Sequence, residues 1–325
     1  MARAASRALL WLSIFILLCT TRIGATTANS FPFFYNFSNP TTIGQGDLYF
    51  EGDAYPGDGS VILAKEQHTG DTTSRAGRVS YKHPVYLWSN TSDAATGFSA
   101  GLSFVIAGDG GNTPMDTGGG LALFFVLYPS GLPLNSEGGY LGLFNSTTAT
   151  SHERIVAVEV DTHGNLGWDP TISPHVGIDV NYLYTGMEDS YRAIDGVVDG
   201  VQYVLQVDYN DVTKDLLVTL RESTSGALLT ALRGGVDLSM FKAQEVAVGI
   251  SAATGDSNMA THHVLWWSFN TSANHSVDFP SLTLEADAPG SPGIVPEPPP
   301  TSSPGSVLMP SCIRRSMGYI EERKV

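Results

Sequence analysis

Short apolar segments separated by turn-forming residues recur from residue 31 to about residue 276. Some alternate apolar and polar residues, as in 201–208, and the segment 121–128 is apolar throughout. Alternation of period two, with many β-branched and aromatic residues, is typical of strands, and a fully apolar strand belongs at the centre of stacked sheets. The sequence therefore predicts an all-β protein, a sandwich of antiparallel sheets. The predicted strands are 98–108, 120–129, 155–161, 175–184, 201–210, 215–222, 245–255 and 262–270, with a helical turn at 239–242.

The first 28 residues have the charge and hydropathy order of a secretory signal peptide. Arg3 and Arg7 precede an apolar run over 8–19, and small residues follow at 24–28. This run is shorter than the roughly 18 residues that a membrane-spanning helix needs. We therefore predict a signal peptide at 1–28 and a secreted chain with no transmembrane segment after its removal.

The composition changes after residue 276. Residues 289–306 are rich in Pro, Ser and Gly, which favours an extended, solvated chain. We predict a disordered tail over 277–325. Of the two cysteines, Cys19 leaves with the signal and Cys312 lies in this tail. The body between them has no cysteine for a disulfide, for zinc or for nucleophilic catalysis.

The charge balance bears on the partners. With 17 Lys and Arg against 32 Asp and Glu, the formal net charge is −15. No cluster of basic residues offers the phosphate contacts that dominate nucleic-acid binding, so we exclude that class of partner. Triplets of the type Asn-x-Ser/Thr fit passage through the secretory pathway and predict N-glycosylation. They lie at Asn36, Asn90, Asn145, Asn270 and Asn274.

Acidic residues gather in the stretch VAVEVDTHGNLGWDPTISPHVGIDV, 156–180. In a strand, Glu159, Asp161 and His163 project to one face, and the valines between them face the core. Three carboxylates and one imidazole suit a transition ion such as Mn²⁺, whereas oxygen ligands alone suit Ca²⁺. The predicted Mn²⁺ ligands are Glu159, Asp161, Asp169 and His175, and the predicted Ca²⁺ ligands are Asp161, the His163 carbonyl, Asn165 and Asp169.

The same stretch resembles the metal loop of legume-type lectin domains. The pattern E-x-D-x-x-x-N is followed by W-D-P and H-V-G-I-D-V-N, and the likeness extends to FPFFYNFSNP, GGYLGLFN, VGISAATG and VLWWSFN. This resemblance implies a concanavalin A-like jelly-roll sandwich over 29–276 and a non-enzymatic, carbohydrate-binding function. It also implies that Ca²⁺ and Mn²⁺ order the loop, so that Asn165 and a backbone N–H of Gly138 or Gly139 donate to a sugar.

Two positions depart from the family pattern. Gly119 stands where the family has an Asp that accepts hydrogen bonds from the sugar, and a charge-assisted contact of this kind is strong. His163 stands where an aromatic ring usually supports the sugar, and imidazole stacks less well. The sugar site is therefore expected to be impaired. The alternative is a metal-stabilised scaffold or protein-interaction module without sugar binding.

A glycoside hydrolase is the alternative from a different class. Hydrolases on related sandwiches use E-x-D-x-x-E, in which two carboxyl groups flank the scissile bond. Glu159 and Asp161 match its beginning, but Gly164 stands in place of the second Glu. The sequence therefore predicts that the chain is not an enzyme.

The Pro-rich segment is similar to the extracellular stalk of plant lectin-domain receptor kinases, although no membrane helix or kinase follows it here. The resemblance implies an extracellular, apoplastic location, glycans or glycoproteins as partners, and association with cell-surface receptors. A homodimer through the back sheet is a further expectation from the family.

Overall fold

The computed structural model describes the predicted strand region with several gaps. The described residues are 33–39, 46–65, 74–108, 119–149, 153–165, 169, 171, 174–181, 183, 191–255 and 260–272. The predicted signal peptide, the predicted tail and the predicted glycosylation site Asn274 lie outside them. No helix within these residues is long and apolar enough to span a bilayer.

Strands dominate the described secondary structure, and their bounds follow the predicted segments closely. Two predicted strands, 155–161 and 215–222, have the observed bounds, whereas the strand predicted to run to residue 184 ends at Val180. The predicted helical turn is a 3₁₀ turn at Leu238–Phe241, and a second lies at Gly138–Tyr140. The strands are β1 Phe33–Asn36, β2 Leu48–Gly52, β3 Tyr55–Pro56, β4 Val61–Ile62, β5 Arg75–Tyr81, β6 Trp88–Ser89, β7 Ala94–Ala95, β8 Gly97–Ala107, β9 Gly120–Leu127, β10 Ile155–Asp161, β11 His175–Val180, β12 Tyr191–Ala193, β13 Gln202–Asn210, β14 Asp215–Glu222, β15 Leu228–Gly235, β16 Val246–Thr254 and β17 Thr261–Ser272.

These strands form two large sheets and one small ribbon. The eight-stranded sheet has the order β15-β14-β13-β8-β17-β4-β3, and β1 also pairs with β17. The seven-stranded sheet has the order β12-β11-β10-β9-β16-β5-β2, and β6 pairs with β7. All pairs in both large sheets are antiparallel. The predicted all-β sandwich of antiparallel sheets is confirmed.

The main core lies between the two large sheets. Val156, Val158 and Val160 of β10 enter it from one sheet, and Leu205 and Val207 of β13 enter it from the other. Fully burying side chains of this size stabilises the fold by roughly 1.5–3 kcal/mol each. The valines of β10 therefore fix the strand's phase and leave Glu159 and Asp161 on the outer face of the seven-stranded sheet.

A second apolar cluster covers the middle of that outer face. Leu143 and Phe144, which follow the 3₁₀ turn at Gly138–Tyr140, pack on Ala122, Phe124 and Ala157 of the sheet. Both faces of β10 are consequently buried along its whole length. Acidic side chains on the outer face are therefore removed from water, where a charge is costly without a partner.

The outer face of the eight-stranded sheet is more open. Phe34 and Asn36 of β1 lie beside β17. Trp266 and Asn270 of β17 project to the same outer face, because Trp267, which alternates with them, is buried in the core. Phe34 is largely exposed and its ring centroid is 6.0 Å from that of Trp266. Two of the predicted glycosylation sites thus share one sheet face with an aromatic pair.

Candidate functional site

The antiparallel pairing of β10 with β11 assembles an acidic cluster. Its register places Asp161 opposite His175 and Glu159 opposite Gly177. Because cross-strand partners project to the same side of a sheet, the two acids and the imidazole meet on the outer face. One ligand atom from each of Glu159, Asp161 and His175 lies within 4.8 Å of the others, and all three residues are buried.

Electrostatics within this cluster are dominated by burial and by like charges. His175 Nε2 lies 3.1 Å from Glu159 Oε1. Burial lowers the pKa of His175, but the hydrogen bond with Glu159 and the surrounding carboxylates outweigh it and raise the pKa to about 9. Burial and the Glu159 charge raise the pKa of Asp161 well above its ordinary value. The site therefore holds more acidic groups than the one imidazole can balance.

Asp179 is a fourth member of this face that the sequence analysis missed. Asp179 lies on β11, opposite Ala157 of β10, and is fully buried. Neither of its carboxyl oxygens accepts a hydrogen bond from a donor in the described part of the chain, and the same holds for Glu159 Oε2. Burial and the Glu159 charge raise the pKa of Asp179. The sequence carried a signal for it, because every second residue of a strand projects to the same face, and this places His175, Gly177 and Asp179 together.

Gly177 gives the cluster its room. A Cβ at this position would lie 2.3 Å from Glu159 Oε1, closer than any side chain can approach. The Glu159 carboxylate therefore occupies the space of a side chain at position 177, and a larger residue there would displace it from the cluster.

The loop after β10 is tied together by its own polar groups. The backbone N–H of His163 donates to Asp161 Oδ1 at 2.7 Å, and the backbone N–H of Asn165 donates to Asp169 Oδ2. The Asn165 amide, turned so that its nitrogen faces acceptors, donates to Asp169 Oδ2 at 3.2 Å and to the His163 carbonyl at 3.3 Å. Asp169 lies outside the group of Glu159, Asp161 and His175. Burial raises the pKa of Asp169 to about 6.

The 3₁₀ turn at Gly138–Tyr140 lies directly against this loop. A Cβ on Gly139 would lie 2.3 Å from the nearer terminal atom of the Asn165 amide and 3.0 Å from the other one. The backbone of this turn and the Asn165 amide thus lie side by side. Both residues were predicted to contact the same sugar, and the structure brings them together.

Gly119 lies beside the same turn. Its carbonyl accepts a hydrogen bond from the backbone N–H of Thr162 at 3.0 Å. A Cβ at position 119 would lie 2.5 Å from the Ala253 carbonyl oxygen and 3.0 Å from the Gly138 carbonyl oxygen. The position predicted to lack an Asp is therefore next to the sugar-loop turn and too crowded for a larger residue in this conformation.

The ligand atoms of this cluster fit a bound metal ion. Two carboxylates and one imidazole converge on one another, and Glu159 Oε2 and both Asp179 oxygens lack donors in the described residues. Buried acids in this arrangement need either protons or a cation to offset their charge. Carboxylate and imidazole ligands together are typical of divalent transition ions. The buried Glu159, Asp161 and His175 group could therefore hold a metal.

Comparisons with known proteins identify the family of the chain. The legume lectin domain matches residues 29–283. Lectin 7 of Medicago truncatula is 34% identical over 269 residues, which cover 80% of this chain and 96% of that protein. The L-type lectin-domain containing receptor kinase IX.2 of Arabidopsis thaliana is 32% identical over 246 residues, 74% of this chain and 35% of that protein. The solved structure of lectin I from Ulex europaeus, in complex with the methyl glycoside of α-L-fucose, has a TM-score of 0.64 and 27% identity, and the match covers 76% of this chain and 99% of that one. The chain therefore belongs to the legume lectin family and has its jelly-roll sandwich fold.

Proposed function

We propose that this chain is a secreted carbohydrate-binding lectin in which metal ions order the loop that carries Asn165. The contact between Gly139 and Asn165 carries the proposal, because it sets a turn backbone and a side-chain amide side by side. Adjacent donors of this kind match neighbouring hydroxyl groups of one sugar ring. The sugar bound to the related Ulex europaeus lectin I supports the ligand class.

The metal ligands follow from the residues that converge on the loop. Glu159, Asp161 and His175, together with Asp169, would hold a transition ion such as Mn²⁺. Oxygens of Asp161, Asn165 and Asp169 and the His163 carbonyl would hold Ca²⁺. When bound, the two ions offset the acidic charge and fix the loop. Asn165 and Asp169 are already joined through the Asn165 backbone N–H, so little rearrangement is needed on that side.

The sugar site is impaired by Gly119. An Asp at this position would have supplied a carboxylate that accepts from sugar hydroxyls, and glycine supplies none. His163 offers a partly buried imidazole in place of an aromatic ring. We therefore expect weak binding, through Asn165 and the backbone N–H of Gly138 or Gly139.

The crowding at Gly119 also favours a second candidate function. A lectin fold without the accepting carboxylate would act as a metal-stabilised scaffold or protein-interaction module. In that reading the acidic cluster serves stability alone. The two candidates share the metal site and differ only in whether a glycan binds beside Asn165.

A glycan array separates the two functions. The full chain is probed with Ca²⁺ and Mn²⁺ and again with chelator, beside Asn165→Ala and the control Gln244→Ala, which removes a partly buried amide elsewhere. Metal-dependent binding that Asn165→Ala abolishes and Gln244→Ala keeps supports the lectin. No binding, together with a Tm that rises with metal, supports the scaffold. A Tm insensitive to metal contradicts both.

We propose no catalytic role for the acidic pair. Glu159 and Asp161 are each only 1% exposed, so neither reaches a glycosidic bond in solvent. A hydrolase needs two accessible carboxyl groups on either side of that bond. Turnover of a β-glucan that Glu159→Gln abolishes would overturn this assignment.

The remaining proposals concern the protein outside its binding loop. We propose an extracellular, apoplastic glycoprotein with glycans on Asn36, Asn90, Asn145, Asn270 and Asn274, whose partners are glycans, glycoproteins and cell-surface receptors. Asn36 and Asn90 are exposed, which suits modification. Asn145 already accepts hydrogen bonds from Thr147 and Thr148 through its side-chain oxygen. A homodimer through the eight-stranded sheet is also proposed for chains that carry no glycan on Asn36 and Asn270, using the exposed Phe34 and its neighbours.

A further inference from the structure

A cavity of about 480 Å³ lies at the far edge of the seven-stranded sheet, away from the metal cluster. It extends from β2, which supplies Tyr49 and Glu51, across β5 to the segment 128–131 that follows β9. Volumes of roughly 300–1,000 Å³ are usual for small-molecule sites. The strands β10 and β11 that carry the acidic cluster take no part in lining this cavity.

One wall of the cavity is held rigidly by Arg78. Its guanidinium donates to the Gly131 carbonyl at 2.7 Å and to Ser130 Oγ at 2.9 Å, and it lies 4.1 Å from the centre of the Phe124 ring. Arg78 Nε is also 3.7 Å from Glu51 Oε2. The buried cation and the Glu51 carboxylate offset each other, so this wall favours a neutral ligand.

Two polar atoms of the lining residues lack donors. Ser80 is buried, and its hydroxyl has no hydrogen-bond partner in the described part of the chain. Glu51 accepts from the Leu132 backbone N–H through Oε1 at 3.0 Å, but its Oε2 accepts no hydrogen bond there. Both atoms are shielded from solvent, and Glu51 Oε2 faces Arg78 Nε. A hydroxylated ligand would pair with the Ser80 hydroxyl after rotation of that side chain, which removes the cost of an unpartnered buried polar atom.

Tyrosine rings complete the cavity. Tyr49 is 54% exposed, and Tyr128 lies on the other side, with its hydroxyl donating to the Lys82 carbonyl at 3.2 Å. Rings of this kind offer an apolar surface with a polar edge. An apolar ring face bearing several hydroxyl groups is the chemistry of a pyranose.

We propose that this cavity is a second carbohydrate-binding subsite that takes a neutral pyranose independently of metal. Tyr49 and Tyr128 contact the ring face, and a sugar hydroxyl bonds with Ser80 Oγ once that side chain turns toward the cavity. The subsite shares no lining residue with the metal loop, so it stands whether or not the loop of Asn165 binds sugar.

The test uses saturation-transfer NMR with methyl glycosides of neutral hexoses, on full-length Asn165→Ala protein in chelator, which silences the metal loop. We expect a transfer signal that falls about fivefold when Tyr49→Ala or Ser80→Ala is added. Tyr55→Ala removes an exposed ring that does not line the cavity and should leave the signal unchanged. Circular dichroism verifies that each variant is folded.

The absence of a signal from every glycoside, or an undiminished signal in Tyr49→Ala, would overturn the proposal. Failure of the metal-dependent site gives a different result, namely no metal-dependent glycan binding by the wild-type chain, with the chelator-resistant signal still present.

Discussion

The side chain of Asn165 lies against the backbone of Gly139, so closely that a Cβ at position 139 would come within 2.3 Å of a terminal atom of the Asn165 amide. Packing of the segment that follows the turn onto the sheet helps to bring strand β10 and the turn at 138–140 together. The position of Asn165 therefore depends on glycine at 139 as well as on the proposed metal ligands. This dependence can be tested without touching any acidic residue.

Gly139→Ala is expected to displace the Asn165 amide. The added methyl group occupies the space of that amide, so both the proposed calcium ligand and the proposed sugar donor move. Sugar binding should fall about tenfold or more, which corresponds to the loss of roughly one good hydrogen bond to a charged or well-ordered group. The calcium-dependent rise in Tm should shrink as well. Both are measured by calorimetry of the purified chain.

Gly235→Ala is the matched control for that variant. A Cβ at position 235 meets nothing within 4 Å, so the same substitution is made without a neighbour. Calcium dependence equal to that of the wild type in both variants would contradict the proposed role of the Gly139 contact.

Gly119→Asp is expected to damage the protein rather than repair its sugar site. The new Cβ would lie 2.5 Å from the Ala253 carbonyl oxygen, and the carboxylate would enter a region that already holds the Gly138 carbonyl. Overpacking of this kind costs typically 1–3 kcal/mol. The free energy of unfolding, from denaturant titration, should fall by about that amount with no gain in glycan binding.

Gly119→Ala separates the two causes, because it adds the Cβ without the charge. We expect it to lose most of the same stability. An Asp variant that keeps its stability and gains metal-dependent sugar binding would show that the loop before β9 adapts, and that the missing carboxylate is the only defect of the site.

Parts of this site could be predicted from sequence, and parts depend on distant packing. The alternation of β10 correctly put Glu159 and Asp161 on one face, because its valines need the core. Their complete burial could not be predicted, since it comes from Leu143 and Phe144 packing over the outer face. The same alternation applied to β11 would have found Asp179.

The surroundings of Gly119 show more clearly what could not be predicted from the sequence. Sequence reasoning identified the missing carboxylate by comparison with a motif. The carbonyl that excludes a side chain at this position belongs to Ala253 of β16, a strand far away in the chain that pairs directly with β9. Local patterns carry no information on such a contact, because it depends on strand order in the sheet.

The buried His262 predicts an acid-dependent loss of stability. Burial, with a smaller effect of His263, lowers the pKa of His262 to about 4, against an ordinary value of 6.5. Above pH 6.5 the imidazole is neutral in both the folded and the unfolded chain. Between pH 6.5 and pH 4 the unfolded chain binds a proton that the folded chain does not, so the free energy of unfolding falls as the pH falls, by at most about 3 kcal/mol.

The contribution of His262 is isolated by comparing variants across this pH range. His262→Leu should have a flatter pH dependence of unfolding than the wild type, whereas His83→Gln, which changes an exposed imidazole, should follow the wild type. Parallel curves for all three proteins would mean that His262 titrates normally in the folded chain.

Glycans on Asn36 and Asn270 are expected to oppose association through the eight-stranded sheet. Both side chains share the outer sheet face with Phe34 and Trp266, which would form the centre of a back-to-back dimer. A bulky, hydrated glycan beside this aromatic pair keeps a second sheet from approaching.

The double variant Asn36→Gln, Asn270→Gln, made in a eukaryotic secretory host, should therefore sediment as a dimer at concentrations where the glycosylated chain is a monomer. Asn90→Gln removes a glycan that does not lie on a strand of this sheet and should remain monomeric. A glycosylated wild type that is already dimeric, with a dimer that Phe34→Ser dissociates, would show instead that the sheet face tolerates its glycans.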